Sequence, residues 1–137
     1  MPFRTRRPAE AVARCLGDDA ERRAANPAVL GGDLNAVPWS DEVRGLTGAG
    51  GPLVEGLVFV DAWDAAGNEG RGDTWSAANP RVPRRAVHPN RRLDYVMVSW
   101  PRRRGRGHVA ACRLAGTEAI DGVWPSDHHA VVADIDL

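Results

Sequence analysis

The chain contains no lysine: all eighteen of its basic residues are arginine. Arginine grips phosphate in a bidentate fork, but GC-rich coding produces the same bias and is the simpler reading. Net charge is absent too, because eighteen acidic residues balance the arginines, so no overall field draws the molecule to nucleic acid or an anionic membrane. The two cysteines, Cys15 and Cys112, have no spacing that suits a metal knuckle or a redox pair. Lone thiols of this kind are usually buried residues of a reducing compartment. No hydrophobic run approaches the length of a transmembrane helix. The arginine-rich N-terminus has no apolar stretch behind it, so no signal peptide is expected and the chain reads as cytoplasmic. Without repeats or linkers, the 137 residues are expected to form one domain with room for a core.

What is present is organised around Gly31-Gly32-Asp33-Leu34-Asn35. This stretch follows the apolar Ala28-Val29-Leu30 and precedes a break at Pro38, the pattern of a buried strand over 28–33 that stops abruptly. Asp33 and Asn35 are two apart, so on an extended backbone they leave from one side. A carboxylate and an amide so placed can hold a water, a hydroxyl or a hard cation, and the glycines leave space for close approach. The same pair could instead form an Asx-turn that closes the strand.

Elsewhere, Pro8 and the stripe Ala9, Val12, Ala13, Leu16 and Ala20 predict a helix over 8–24. Ser40 predicts an N-cap for a short helix over 41–47, with Asp41 and Glu42 in its first turn. Residues 57–63 suit either a strand or a short helix. Residues 67–89 are irregular, with an ordered island at Thr74-Trp75, and a segment of that length is usually functional or mobile. Residues 93–100 form an alternating strand, 101–107 an arginine-rich loop, and 109–114 its expected hairpin partner. The last strand covers 130–135. The arginines at 102, 103, 104 and 106 read as a charged hairpin tip, and His88 and His108 as solvated. The tryptophans read mostly as core or strand-edge residues.

Chemistry-bearing residues gather at strand ends: Asp33 with Asn35, Asp94 inside Arg92-Leu93-Asp94-Tyr95, and Asp127 beside His128 in Ser126-Asp127-His128. Asp94 interrupts an apolar strand, and a buried carboxylate needs a partner. It is either bonded to backbone amides or paired with an imidazole. An Asp–His pair fixes the imidazole tautomer and favours its protonated form. Asp127 offers a hard oxygen for Mg²⁺. His128 and His129 point opposite ways in an extended chain, one of them toward solvent. Together these groups suit phosphoester hydrolysis: carboxylate-aligned water, a cationic imidazole and a metal that neutralises phosphate.

The ordered succession Gly32-Asp33-Leu34-Asn35, Thr74-Trp75, Arg92-Leu93-Asp94-Tyr95-Val96 and Ser126-Asp127-His128 resembles the endonuclease/exonuclease/phosphatase superfamily, with its deoxyribonuclease I-like fold. The resemblance runs from about residue 8 to the C-terminus. It implies an α+β chain forming half of a four-layer sandwich, with one mostly antiparallel mixed sheet and helices on its outer face. It further implies a Mg²⁺-dependent phosphoesterase, with Mn²⁺ as an alternative ion. By that resemblance Asp33, Asp94 and His128 are catalytic: Asp33 orients water, and Asp94 orients the His128 that contacts phosphate. Asn35, Thr74 and Trp75 lie at the substrate, and Asp33, Asn35 and Asp127 at the metal. The substrate is a phosphoester, namely a nucleic acid, a phospholipid head group or a small phosphate ester. Family members are much longer, and their N-terminal half supplies the main metal-binding glutamate, which has no counterpart here. The chain is therefore expected to begin mid-fold and to be a poor catalyst alone. A bare sheet face is expected to recruit a second copy or the missing half. The rival reading is a non-catalytic half-domain that binds phosphate or a partner chain.

Overall fold

The computed structural model describes residues 27–85, 87–88, 90–100 and 105–137. The helix expected over 8–24, Cys15 and most of the arginine tip lie outside these residues. Among the described residues, five strands and two short helices follow in order: β1 (Val29–Asp33), α1 (Asp41–Thr47), β2 (Phe59–Asp61), α2 (Ala62–Ala65), β3 (Asp94–Ser99), β4 (Val109–Ala115) and β5 (Ala130–Ile135). Among the described residues no helix is long and apolar enough to cross a membrane.

The central strand is β3, whose alternating side chains serve two cores. Tyr95 and Met97 face α1 and pack with Val43, Leu46, Leu57 and Phe59. On the opposite face, Val96 and Val98 pack with Ala62, Val109 and Cys112. This two-residue alternation is what a pleated strand imposes, and it places Asp94 on the second face. β1 and β2 flank β3, both antiparallel, in the order β1-β3-β2. Ser40 caps α1 as expected, its hydroxyl accepting from the Val43 amide at 3.4 Å. Gly48 ends the helix at φ 78°, a left-handed turn that glycine adopts without strain. Residues 57–63 resolve as both alternatives, β2 running straight into α2.

Two expectations are corrected. The 109–114 segment does not pair with 93–100. It pairs with β5 in a separate two-stranded antiparallel sheet. Both edges of β3 are already taken by β1 and β2, so β4 must find its partner elsewhere. The single mixed sheet is likewise replaced by two antiparallel ones, the β4–β5 ribbon lying over the second face of β3 and over α2. The tryptophans also divide: Trp39 and Trp100 are two-thirds exposed, whereas Trp63 anchors the loop after α2. Its Nε1 donates to the Gly70 carbonyl at 2.8 Å. Gly72, at φ 66°, lies so close that a Cβ there would sit 2.6 Å from the indole.

Candidate active site

Asp33 and Asp94 stand directly opposite each other in the β1–β3 ladder. Like charges in that position are destabilising unless something compensates them. The compensation comes from His128, whose Nδ1 lies 2.7 Å from Asp94 Oδ2. Asp33, Asp94 and His128 present potential ligand atoms all within 4.8 Å of one another, close enough to hold a single metal ion. Partial burial pulls the His128 imidazole toward lower pKa. The hydrogen bond and charge of Asp94, with the charges of Asp33 and Asp127, outweigh it, so the group titrates above its ordinary value.

The convergence has a local cause. Trp75 forms bridges to both Arg91 and His128, with Trp75 N–H donating to the Arg91 carbonyl at 2.9 Å and Arg91 N–H to the Trp75 carbonyl at 2.8 Å. The His129 amide donates to the Thr74 carbonyl at 2.6 Å. The Thr74-Trp75 island thereby stitches the lead-in to β3 onto the lead-in to β5. Asn79, fully buried, holds the turn before His128: its Nδ2 donates to the Ser126 carbonyl at 2.8 Å, and its Oδ1 accepts from the Arg81 amide at 3.0 Å.

Thr74 occupies a different place from the one expected. Rather than lying at the substrate, it is fully buried and donates from its hydroxyl to Asp94 Oδ2 at 2.6 Å. Thr74 Oγ1 in turn accepts from the Leu93 and Asp94 amides at 3.0 and 3.1 Å. One donor and two acceptor sites exhaust the hydroxyl, so Thr74 supports Asp94 from behind. Asn35, at φ 47°, folds back on Asp33: its amide donates to Oδ1 at 2.7 Å and its Nδ2 to Oδ2 at 3.2 Å. The Asx-turn and the site are therefore the same structure. Asp127 is exposed and adjacent to His128 but is not among the three converging groups. Trp75 is half-buried, with Arg91 Cζ 4.8 Å from its ring centre.

His129 does not face solvent; it is 5% exposed, with Nδ1 3.3 Å from the Asp73 carbonyl. His88 and His108 are exposed, as expected. Arg92 is structural: buried, it pairs with Asp61 at 3.0 Å and Asp64 at 3.1 Å. Burial pushes the Asp61 carboxyl upward, against the pull of Arg92. The Tyr95 hydroxyl, unrecognised in the sequence, donates to the Ala36 carbonyl at 2.7 Å and lies 3.0 Å from the Arg92 carbonyl. It ties the loop after Asn35 to the approach of β3.

This arrangement has relatives. The chain is similar to truncated Caenorhabditis elegans TDP2, at 28% identity and a TM-score of 0.59, over 96% of this chain and 49% of that one. It is similar also to selenomethionine TDP2 from the same organism, at 26% identity and a TM-score of 0.57, over 96% and 38%. The chain thus spans at most about half the length of these structures. No curated protein matches it. A model of the Endonuclease/Exonuclease/phosphatase family matches residues 2–128, in keeping with the α+β half-sandwich. The chain belongs to the endonuclease/exonuclease/phosphatase family.

Proposed function

We propose that this chain carries the imidazole-and-carboxylate side of a metal-dependent phosphoesterase site, hydrolysing a phosphodiester or phosphomonoester by in-line attack of water. The observation that carries the reading is the 2.7 Å contact between His128 Nδ1 and Asp94, with Asp33 directly across the ladder. With Nδ1–H committed to Asp94, Nε2 is the nitrogen left to face a ligand. A protonated His128 donates there to a phosphate oxygen as negative charge develops. Asp33, fixed by the two Asn35 donors, aligns the attacking water and accepts its proton. Asn35 and Trp75 line the substrate, and Thr74 holds Asp94 in place.

The donor set suits a hard dication. Three carboxylates, Asp33, Asp94 and Asp127, surround one imidazole, and two of them are exposed. Oxygen donors of this kind favour Mg²⁺ or Mn²⁺, held by Asp33 with Asp94 or Asp127. Such an ion supplies charge neutralisation at the phosphate.

The test is hydrolysis of bis-p-nitrophenyl phosphate by the purified chain, with and without Mg²⁺. Turnover lost in both Asp33→Ala and His128→Ala supports the assignment, and turnover indifferent to both refutes it. A second reading is that these residues bind phosphate without turning it over. It predicts phosphate binding that needs His128 and no hydrolysis under any metal.

A further inference from the structure

Alternate side chains of β5 form an inward stripe: Val131, Ala133 and Ile135 all pack against the cluster of Ala62, Val98, Val109 and Cys112. Carried one step back past the start of the strand, the stripe arrives at His129. There the side chain is polar, yet it is only 5% exposed. A hydrophobic residue fills such a position without a desolvation cost, whereas an imidazole needs a partner. His129 has one in the Asp73 carbonyl, 3.3 Å from its Nδ1. A carbonyl only accepts, so Nδ1 carries a proton. The other ring nitrogen, Nε2, is buried and has no hydrogen-bond partner among the described residues. The bond to Asp73 is what the ring is there to make.

That bond grips the support of the active-site pair. The His129 amide donates to the Thr74 carbonyl at 2.6 Å, and its ring donates to the carbonyl of the residue before. One residue thus holds two successive carbonyls. The Thr74 hydroxyl donates to Asp94 Oδ2 at 2.6 Å, the oxygen that His128 Nδ1 approaches at 2.7 Å. Joined by the 128–129 peptide, these contacts close into a ring that runs His128, Asp94, Thr74, His129. A single backbone bond lets the Thr74 segment pivot, and a second bond to the neighbouring carbonyl removes that freedom. Two other side-chain ties to this stretch lie at the surface, Arg71 to Asp73 at 3.1 Å and Asn90 Oδ1 to the Ala77 amide at 2.9 Å. Water weakens ties of that kind. It does not reach the one that His129 makes, and a bond shielded from water is the stronger for it.

We infer that His129 is a positioning residue for His128: its Nδ1–H bond to the Asp73 carbonyl holds Thr74 against Asp94, and so fixes the oxygen that orients the His128 ring. His129 itself touches no phosphate and no water. The inference rests on the phosphoesterase reading for what His128 does, but the geometry it describes needs no turnover.

The test is long-range nitrogen–proton NMR of the His128 ring, in chelator and above the pH range of its titration, where the neutral ring carries one proton. Asp94 accepts at Nδ1, so wild type keeps that proton on Nδ1. Three variants separate a donor from a filler. Asparagine places a donor where Nδ1 stands, glutamine carries its amide one methylene further out, and leucine fills the space with no donor at all. The expected result is that His129→Asn keeps the wild-type tautomer of His128. His129→Gln and His129→Leu shift the tautomer ratio toward Nε2–H by roughly two- to tenfold, the span of one net hydrogen bond. Exchange of the α1 amides, followed in the same samples, reports any general loosening. If the leucine variant does not fold, asparagine against glutamine, both amides, carries the comparison. A packing role predicts the reverse order, with leucine nearest wild type and asparagine furthest from it. That order, or one tautomer ratio shared by all the folded variants, overturns the proposal. Hydrolysis is scored separately. A wild type that never cleaves but gives the expected order refutes only the catalytic reading, and one that cleaves while the order fails refutes only the role of His129.

Discussion

Replacing Thr74 by valine keeps the shape of a buried side chain and deletes one oxygen. That oxygen donates to Asp94 Oδ2 and accepts from two backbone amides, at 2.6, 3.0 and 3.1 Å. Losing a hydrogen bond to a charged group costs about 1.5–3 kcal/mol, and each buried amide left unpaired about 1–3 kcal/mol. The losses overlap, because one local relaxation can rewet both amides, so a total of roughly 3 kcal/mol is expected rather than the sum. Urea unfolding is the assay: the midpoint should fall by roughly 1–2 M with the slope unchanged. Thr74→Ser keeps the hydroxyl and should recover most of the loss. A Thr74→Val chain within about 0.5 kcal/mol of wild type, the range of an ordinary surface change, would refute the reasoning. So would a serine variant as damaged as the valine one.

Three further outcomes are expected. NMR titration should place His128 above its ordinary 6.5, and Asp94→Asn should bring it down; an unchanged value would contradict the pairing. Because the folded pKa is raised, the stabilisation from protonated His128 is complete below the ordinary value and fades as pH rises through the folded one, and Asp94→Asn should lose that dependence in pH-resolved unfolding curves. Arg92→Met strands the buried Asp61 carboxylate and should cost about 3–5 kcal/mol in chemical unfolding, with Asp61→Asn added to it recovering part. Asn79→Ala releases the Ser126 carbonyl and should accelerate hydrogen exchange at the 126–129 amides while leaving the α1 amides unchanged.

The sequence disclosed what is local. The strand stop at Asp33, the Ser40 cap and the alternation of β3 are set by neighbours in the chain, and each appears where expected. Thr74 and the β4–β5 pairing were not legible for the same reason: both depend on what is already occupied in space. Hairpin logic joins consecutive strands, yet β3 had no free edge to offer. A threonine beside a tryptophan looks like a site wall until the carboxylate in need of its hydroxyl is located. His129 followed the same pattern, because alternation told only that it points opposite to His128, not that Asp73 and Thr74 close over it. Arg92 gave a partial signal, as its ion pairs reach back to Asp61 and Asp64 on an element whose type was undecided.

Titration with Mn²⁺ followed by NMR tests the convergence most directly, since a bound paramagnetic ion broadens only what surrounds it. The account predicts that signals of Asp33, Asp94 and His128, distant in sequence, broaden together at the first sub-stoichiometric additions. Asp134 and Asp136, which lie toward the far end of β5, roughly 20–25 Å along the chain from His128, should stay sharp. Broadening that begins at those C-terminal carboxylates, or that reaches Asp33 without His128, would contradict it.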